Sequence, residues 1–318
     1  MTHRVYIDGH VGTTGLRIRD WLAGREDLEV LTLPETDRKD PDARREALRQ
    51  AEVAVLCLPD DAARDAAAWA EGSAVRLLDA STAHRVDDAW VYGLPELTPD
   101  QRKAIRDAPR VSNPGCYASA FILATRPLVD AGLVEPNATL GCHGLSGYSG
   151  GGRPMIEKWE DPAQKLASLP FSAPYALNHV HKHVAEMMHW TGLGAEPQML
   201  PAVGPFRCGM RVAVPLHAGM LRNGANGKDI WEALEARYQG EPFVRLQPLA
   251  EGEETHEHSF DPCACNDTNR IELHVRPHPS GHVLLLAILD NLGKGAAGVA
   301  IQSLNLMLGC EETAGLRT

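Results

Sequence analysis

Of the seven cysteines in this chain, one sits where a thiol becomes reactive. The segment Ser112-Asn113-Pro114-Gly115-Cys116-Tyr117 follows a strand ending at Val111. Pro and Gly make a turn, and a helix is expected to begin right after Cys116. A thiol at a helix start meets unpaired amides and the positive end of the helix dipole, which stabilise thiolate and lower its pKa from about 8.5. The plainer alternative is a buried, inert thiol. Because the turn directs this side chain to an expected domain junction, where clefts form, Cys116 reads as a nucleophile.

A second chemical signal is the loop Asp8-Gly9-His10-Val11-Gly12-Thr13-Thr14-Gly15, between the first strand and the first helix. Glycines there let backbone amides approach a pyrophosphate, and the helix N-terminus adds partial positive charge. The spacing is G-x-x-G-x-x-G rather than the usual G-x-G-x-x-G. A tight turn that merely tolerates glycine would look similar, but position and flanks favour dinucleotide binding. Just beyond the second strand, Glu35 suits a ribose 2′-hydroxyl, whereas Arg38 and Lys39 suit a 2′-phosphate or a solvated turn. These residues alone leave NAD and NADP open.

Histidines invite a metal reading. His179, His181 and His183 alternate as ligands on one strand face would, and His256, His258, Cys263 and Cys265 lie close in sequence. Zinc needs further convergent ligands or a motif such as H-E-x-x-H, which is absent. The polar run from Glu251 to Asp267 reads as an exposed loop, so no metal is expected. Cys57, Cys142, Cys208 and Cys310 lie in apolar stretches and read as core. Ser81-Thr82-Ala83-His84-Arg85 follows a strand ending at Asp79, at the sheet edge where α/β proteins bind ligands. There Arg85 suits either a phosphate or carboxylate clamp or a surface ion pair.

The elements that must position these groups divide in two. Short apolar runs (Val5–Asp8, Leu28–Leu33, Val53–Leu58, Val75–Asp79) alternate with helical ones (Thr13–Leu22 and an Ala-rich helix from Asp60 to Ala70). Wholly apolar strands alternating with helices mean a parallel sheet covered on both faces, a doubly wound Rossmann-type domain. After a helix over Ala118–Asp130, strands dominate: Ala138–Cys142, Arg211–His217, Phe243–Leu249, Ile271–Arg276 and Val283–Leu289. Only Lys228–Tyr238 reads as a clear helix among them. This is an α+β domain with a mixed sheet. The apolar segment Ala296–Leu308 should be a buried closing helix. The domains are set at 1–116, joined by the C-terminal helix region 292–318, and 117–291.

Composition excludes several classes. The chain has 318 residues, 44% of them apolar, and a formal charge of −11. That charge argues against nucleic acid and anionic membrane surfaces, which require concentrated Lys and Arg. There is no secretory signal pattern, no apolar run of ~18–20 residues and no disulfide framework, as expected of a cytoplasmic protein.

Asn113-Pro114-Gly115-Cys116-Tyr117, Tyr6-Ile7-Asp8-Gly9 with Gly12-Thr13-Thr14-Gly15, Tyr92-Gly93-Leu94-Pro95-Glu96 and Asp290-Asn291-Leu292-Gly293-Lys294-Gly295-Ala296 occur here in order. Together they resemble the N-acetyl-gamma-glutamyl-phosphate reductase family, short form, within the aspartate-semialdehyde dehydrogenase superfamily. His181-Lys182-His183-Val184-Ala185-Glu186 is similar to the family's His-Arg-His-x-x-Glu stretch, with Lys182 in place of Arg. Gly144–Arg153 resembles its Ser-Gly-x-Ser-Gly-x-Gly-Arg loop. The resemblance implies NADPH-dependent reduction of a small acyl phosphate, N-acetyl-gamma-glutamyl phosphate, to N-acetylglutamate semialdehyde in arginine biosynthesis. It implies a thioester on Cys116, with His181 as acid/base and His183 as its competitor for that role. It places Gly9, Gly12, Thr13, Thr14, Gly15, Arg38, Ser81, Ser146, Gly147 and Asn291 at the cofactor, Asn291 on the nicotinamide carboxamide. Asn113, Arg85, Arg153 and Glu186 fall to the substrate. The second domain would also dimerise, in a homodimer or homotetramer.

Overall fold

The computed structural model describes residues 2–178, 180–249 and 259–318. Contacts divide the chain into two units, one running to Pro114 with Ala296–Arg317 added, the other Gly115–Gly295.

In the first unit, strands bury both faces. Along β1 (His3–Asp8), Val5 and Ile7 enter one core while Tyr6 enters the other, the period-two alternation of an extended chain. The helix α1 (Thr13–Leu22) returns the chain to β2 (Leu28–Leu31), and α2 (Pro41–Gln50) leads to β3 (Val53–Leu56). Next come α3 (Asp60–Trp69), β4 (Arg76–Asp79), β5 (Val91–Tyr92), α4 (Gln101–Asp107) and β6 (Arg110–Ser112). The sheet order is β2-β1-β3-β4-β6-β5 and every pairing is parallel. The doubly wound expectation is borne out.

Helix α2 lies outside the expected helices, although Asp40 caps it by accepting from Asp42 N–H and Pro41 opens it, a standard start signal. The buried Asp8–Arg44 pair fixes α2 to the end of β1, with Arg44 Nη2 2.9 Å from Asp8 Oδ2. Arg44 also lies over the Trp69 ring, 4.8 Å from its centre.

The second unit begins with α5 (Cys116–Asp130), β7 (Gly141–Gly147), α6 (Gly152–Glu160), β8 (Ala173–Pro174) and α7 (Lys182–Thr191). It continues through β9 (Gln198–Gly204), β10 (Met210–Leu216), α8 (Gly227–Tyr238), β11 (Val244–Leu246), β12 (Ile271–Pro277) and β13 (Val283–Leu289). The mixed sheet has order β11-β12-β13-β10-β7-β9-β8. Val212, Val214, Leu273, Val275 and Leu285 face the helix-covered side, and Leu200 and Leu284 are exposed on the other. The strand expected at Ala138–Cys142 starts at Gly141 and continues through the glycine-rich run to Gly147. Glycine is required there, because a Cβ on Gly144 would lie 2.3 Å from the Tyr117 ring.

Two corrections concern the cysteines. Cys265 is fully buried rather than part of an exposed loop, while Cys57, Cys208 and Cys310 are only part-buried. His256 and His258 lie outside the described residues.

The chain ends with α9 (Gly298–Leu308), which packs in the first unit's core with Ile18, Val55 and Ile105. Arg76 reaches the carbonyls of Ile105, Arg106, Ala108 and Met307, so one side chain closes the C-terminal ends of α4 and α9.

Asp8 and Arg44 are 2% and 7% exposed, so losing one strands the other. Arg44→Ala should cost about 3–5 kcal/mol of stability, read as a lower urea midpoint at unchanged slope. A loss below about 1 kcal/mol would show the pair to be dispensable.

Candidate active site

Gly115 is the N-cap of α5, in extended conformation, and Cys116 is the first helical residue, ahead of the expected start at Ala118. No side chain of its own segment caps this helix, and its first turn carries no acid. Instead Glu186, from α7, accepts the Gly115 N–H at 2.9 Å while itself only 1% exposed. Cys116 is part-buried, and a Cβ at Gly295 would come 2.7 Å from the Cys116 Cβ. Position 295 must therefore be glycine for the thiol to keep its place.

His181 does not lie on a strand, which overturns the alternating-ligand reading of the histidines. It is the N-cap of α7, its Nδ1 accepting the His183 N–H at 3.2 Å, and His183 sits within the helix, 5% exposed. His179 lies outside the described residues. A histidine cap is not among the usual Ser, Thr, Asp or Asn signals, so the helix start was hard to see. An imidazole nitrogen that accepts a hydrogen bond carries no proton, so the neutral ring holds its proton on Nε2. That nitrogen lies 3.3 Å from the hydroxyl of Tyr175, which had no sequence signal at all.

The two rings share a cluster with Tyr117, whose centre is 5.7 Å from His181 and 5.9 Å from His183. Burial, and then Lys182, pull His181 down to a pKa of about 4, so it is neutral at pH 7. Burial pushes the Tyr175 phenol up to about 12, and charge on Cys116 adds to that rise. Tyr117 is raised as well, by burial first and then by Tyr175 and Cys116. Cys116, Tyr117, Tyr175 and His181 thus form one chemical group: a thiol, a neutral imidazole and two protonated phenols.

Beside it, Asn291 is 1% exposed and its side chain is already engaged. Its Oδ1 accepts the Gly209 N–H at 2.8 Å and its Nδ2 donates to Ser149 Oγ at 2.9 Å. Ser146 donates to the Gly147 carbonyl. A Cβ on Gly150 would meet Ser146 Oγ at 3.1 Å and Asn291 Nδ2 at 3.4 Å, so this glycine leaves room over both polar groups. Arg153 is not gathered here. It is 73% exposed on α6 and pairs with Glu157 at 2.7 Å, because the helix turns it to solvent.

In the first unit, the glycine loop has the features of an anion cradle. Gly9 has φ +88°, and a Cβ on it would lie 2.2 Å from the Cys57 carbonyl oxygen. A Cβ on Gly15 would lie 2.6 Å from the Gly9 oxygen. Gly12 is the N-cap of α1 with no side-chain cap, so the amides of Thr13 and Thr14 meet no capping side chain. Backbone approach and an uncapped helix start both fit a dinucleotide pyrophosphate. Nearby, Arg38 pairs with Glu35 at 2.6 Å, and the His10 pKa is lowered by burial and by the charges of Arg19 and Arg38. Arg19 was not singled out from sequence.

Of three further expected residues, Ser81 and Arg85 are held by their own loop and Asn113 by the start of the C-terminal segment. Ser81 Oγ donates to Asp79 Oδ2 at 2.7 Å and accepts from Ala83 N–H, and Arg85, 7% exposed, donates to the Ala80 carbonyl. His84 binds Asp79 at 2.7 Å and stacks on Trp90. Asn113 donates to the Ala296 carbonyl at 3.0 Å, leaving its buried Oδ1 without a partner. Among the described residues no group of three or more His, Cys, Asp or Glu side chains is arranged to hold a metal ion. No helix among them is long and apolar enough to cross a membrane.

Comparison with known proteins gives a consistent relationship. A semialdehyde dehydrogenase dimerisation domain model matches residues 116–291, and a semialdehyde dehydrogenase NAD binding domain model matches residues 32–105. The chain is 46% identical to N-acetyl-gamma-glutamyl-phosphate reductase 2 of Pseudomonas putida, over 98% of each chain. It is 44% identical to the enzyme of the same name from Nostoc sp., over 98% of this chain and 99% of that one. In fold it resembles aspartate semialdehyde dehydrogenase II of Vibrio cholerae, with TM-score 0.73 and 18% identity over 97% of this chain and 99% of that one. The NADP-bound aspartate semialdehyde dehydrogenase of Candida albicans superposes with TM-score 0.66 and 13% identity, over 97% and 99% of the two chains.

Two part-buried histidines set a pH window. His181 and His274 both have folded pKa values of about 4, below the ordinary 6.5, through burial first and then a neighbouring cation. Between these limits the unfolded chain binds more protons, so stability should be full above about pH 6.5 and fall as the pH drops toward 4. Urea midpoints across that range should flatten in His274→Gln. A wild-type midpoint that stays level from pH 6.5 to 4.5 would contradict the burial of these rings.

Proposed function

Because the chain belongs to the N-acetyl-gamma-glutamyl-phosphate reductase family, we propose that it reduces N-acetyl-gamma-glutamyl phosphate to N-acetylglutamate semialdehyde and phosphate, a cytoplasmic step of arginine biosynthesis. The observation that carries the reading is the grouping of Cys116 at the start of α5 with Tyr175 and the neutral, Nε2-protonated His181.

Cys116 is the nucleophile. Its sulfur attacks the acyl carbonyl, the bond to phosphate breaks with the thiol proton leaving on the departing phosphate, and a thioester remains. NADPH, when bound, supplies the hydride that the thioester carbon must accept. His181 Nε2–H donates a hydrogen bond to the oxygen that turns negative as the carbon is reduced, with Tyr175 at the same nitrogen. That oxyanion re-forms a carbonyl as the carbon–sulfur bond breaks, and Cys116 leaves as thiolate. Gly9, Gly12, Thr13, Thr14 and Gly15 would hold the pyrophosphate, with Ser81 nearby, and Ser146, Gly147 and Asn291 the nicotinamide end. Asn113 and Arg85 remain candidates for gripping the substrate.

The preference for NADP over NAD rests on Arg38. Glu35 neutralises it in the free protein, and a 2′-phosphate, with more charge and more acceptor oxygens than a carboxylate, would compete for it. Arg19 strengthens the same positive region. The second unit would join two copies, in a dimer or a pair of dimers, and the half-exposed sheet face bearing Leu200 and Leu284 supports this.

The test is oxidation in the reverse direction, with phosphate and NADP⁺. N-acetylglutamate semialdehyde should be oxidised and aspartate semialdehyde barely touched, since a pocket lacking partners for a free ammonium discriminates by about 10⁴ or more. Equal rates would overturn the substrate while leaving the reaction class. Cys116→Ser should abolish turnover, and His181→Asn should lower it by roughly 10²–10⁴-fold with cofactor binding spared. Arg38→Ala should weaken NADPH binding about 10–100-fold and leave NADH binding unchanged. Parallel loss of both would remove the 2′-phosphate role.

A further inference from the structure

Glu186 is drawn to the substrate by family resemblance, yet its carboxylate is occupied elsewhere. It lies on the buried face of α7 with His183 and Met187, and its Oε2 takes the Gly115 N–H. That amide is among the first of α5, which have no partner in their own helix. An acid usually meets such amides from within the first turn, but α5 has none. Glu186 supplies it from a different helix, one whose N-cap is His181.

This placement has an electrostatic side. A thiol at a helix start gains acidity from the helix amides, and the Glu186 carboxyl sits on the first of those amides. Like charges that share a site oppose each other's ionisation. The titratable groups gathered round Cys116 are Tyr117, Tyr175, His181, His183 and Glu186, with Lys182 beside His181 and Lys294 beside Gly295. The two phenols stay protonated and His181 stays neutral at pH 7, so Glu186, the carboxyl among these groups, is the one set to compete with thiolate.

We propose that Glu186 is a positioning residue acting through the Gly115 backbone: it fixes the turn that carries Cys116, and its charge holds that thiol protonated until a substrate is engaged. This rests on the reading of Cys116 as the nucleophile. The two roles separate by substitution. Glu186→Gln keeps an oxygen that can accept the Gly115 N–H and removes the charge. Glu186→Asp keeps the charge and is one methylene too short to hold the amide in the same geometry.

The experiment measures the iodoacetamide reaction of Cys116 in the full chain from pH 5 to 10, mapped by mass spectrometry, without substrate or cofactor. In Glu186→Gln the midpoint should move down by about one pH unit, and KM for the acyl phosphate should stay within about twofold of wild type. In Glu186→Asp the midpoint should stay near wild type while kcat falls about tenfold or more, as a loosened turn misplaces the sulfur. An unmoved midpoint in Glu186→Gln overturns the proposal. So does a tenfold rise in KM with the midpoint unchanged, the mark of a direct substrate ligand. Because alkylation is read at Cys116 alone, failure of the semialdehyde assay would strike the assigned reaction and leave this result to be judged separately.

Discussion

A helix begins with amides that have nothing to bond inside the helix, and this molecule treats that constraint in two opposite ways. At α1 the amides meet glycine and no capping side chain, which keeps them available to an anion from outside. At α5 the place is taken from within, by a carboxylate on α7. The first solution needs a chain that packs without Cβ atoms, and Gly9 and Gly15 provide it. The second needs a second helix set firmly against the first. Much of the Gly115–Gly295 unit serves that end: α5 packs on α7 and α8 and on β10 and β13, and Tyr117 crosses Gly144 of β7.

Charge is handled the same way, by assigning each buried group a fixed partner. Asp8 ends β1 next to the glycine loop, where a bare carboxylate would repel a pyrophosphate, and Arg44 removes that repulsion from behind. Asp79 ends β4 and organises the following loop by accepting from Ser81 N–H, Ser81 Oγ and His84. Asp60 does likewise for Thr82. The sheet edge is therefore rigid before any ligand arrives, which lowers the ordering cost of binding.

How much of this was legible in the sequence depends on the distance over which each signal acts. The strands of the first unit, the glycine loop and the Cys116 turn are local, and apolar runs, glycine spacing and Pro-Gly punctuation mark them. Helix α2 was equally local, with Asp40 and Pro41 at its start, but its polar composition hid it. Helix α7 was masked by alternating histidines that imitate a strand. The rest was beyond reach of any local pattern. Tyr175 meets His181 only because β8 ends beside it, Gly295 meets Cys116 across most of the chain, and Glu186 finds Gly115 from 71 residues away. At Arg153 a loop motif suggested a ligand, and the helical turn there leaves the side chain exposed and paired with Glu157.

His181 serves its helix with one ring nitrogen and would serve the proposed chemistry with the other. Nδ1 closes the start of α7 while Nε2 faces Tyr175. Evolution and mutagenesis therefore meet two separable selection pressures at a single codon. Residues that cap helices well, such as Asn, Asp, Ser and Thr, can inherit the structural half and lose the proton. Alanine or leucine forfeits both, and with a frayed α7 the hold of Glu186 on the Gly115 turn loosens as well. An inactive alanine variant at this position would thus report on folding as much as on catalysis. An inactive asparagine variant isolates the missing proton.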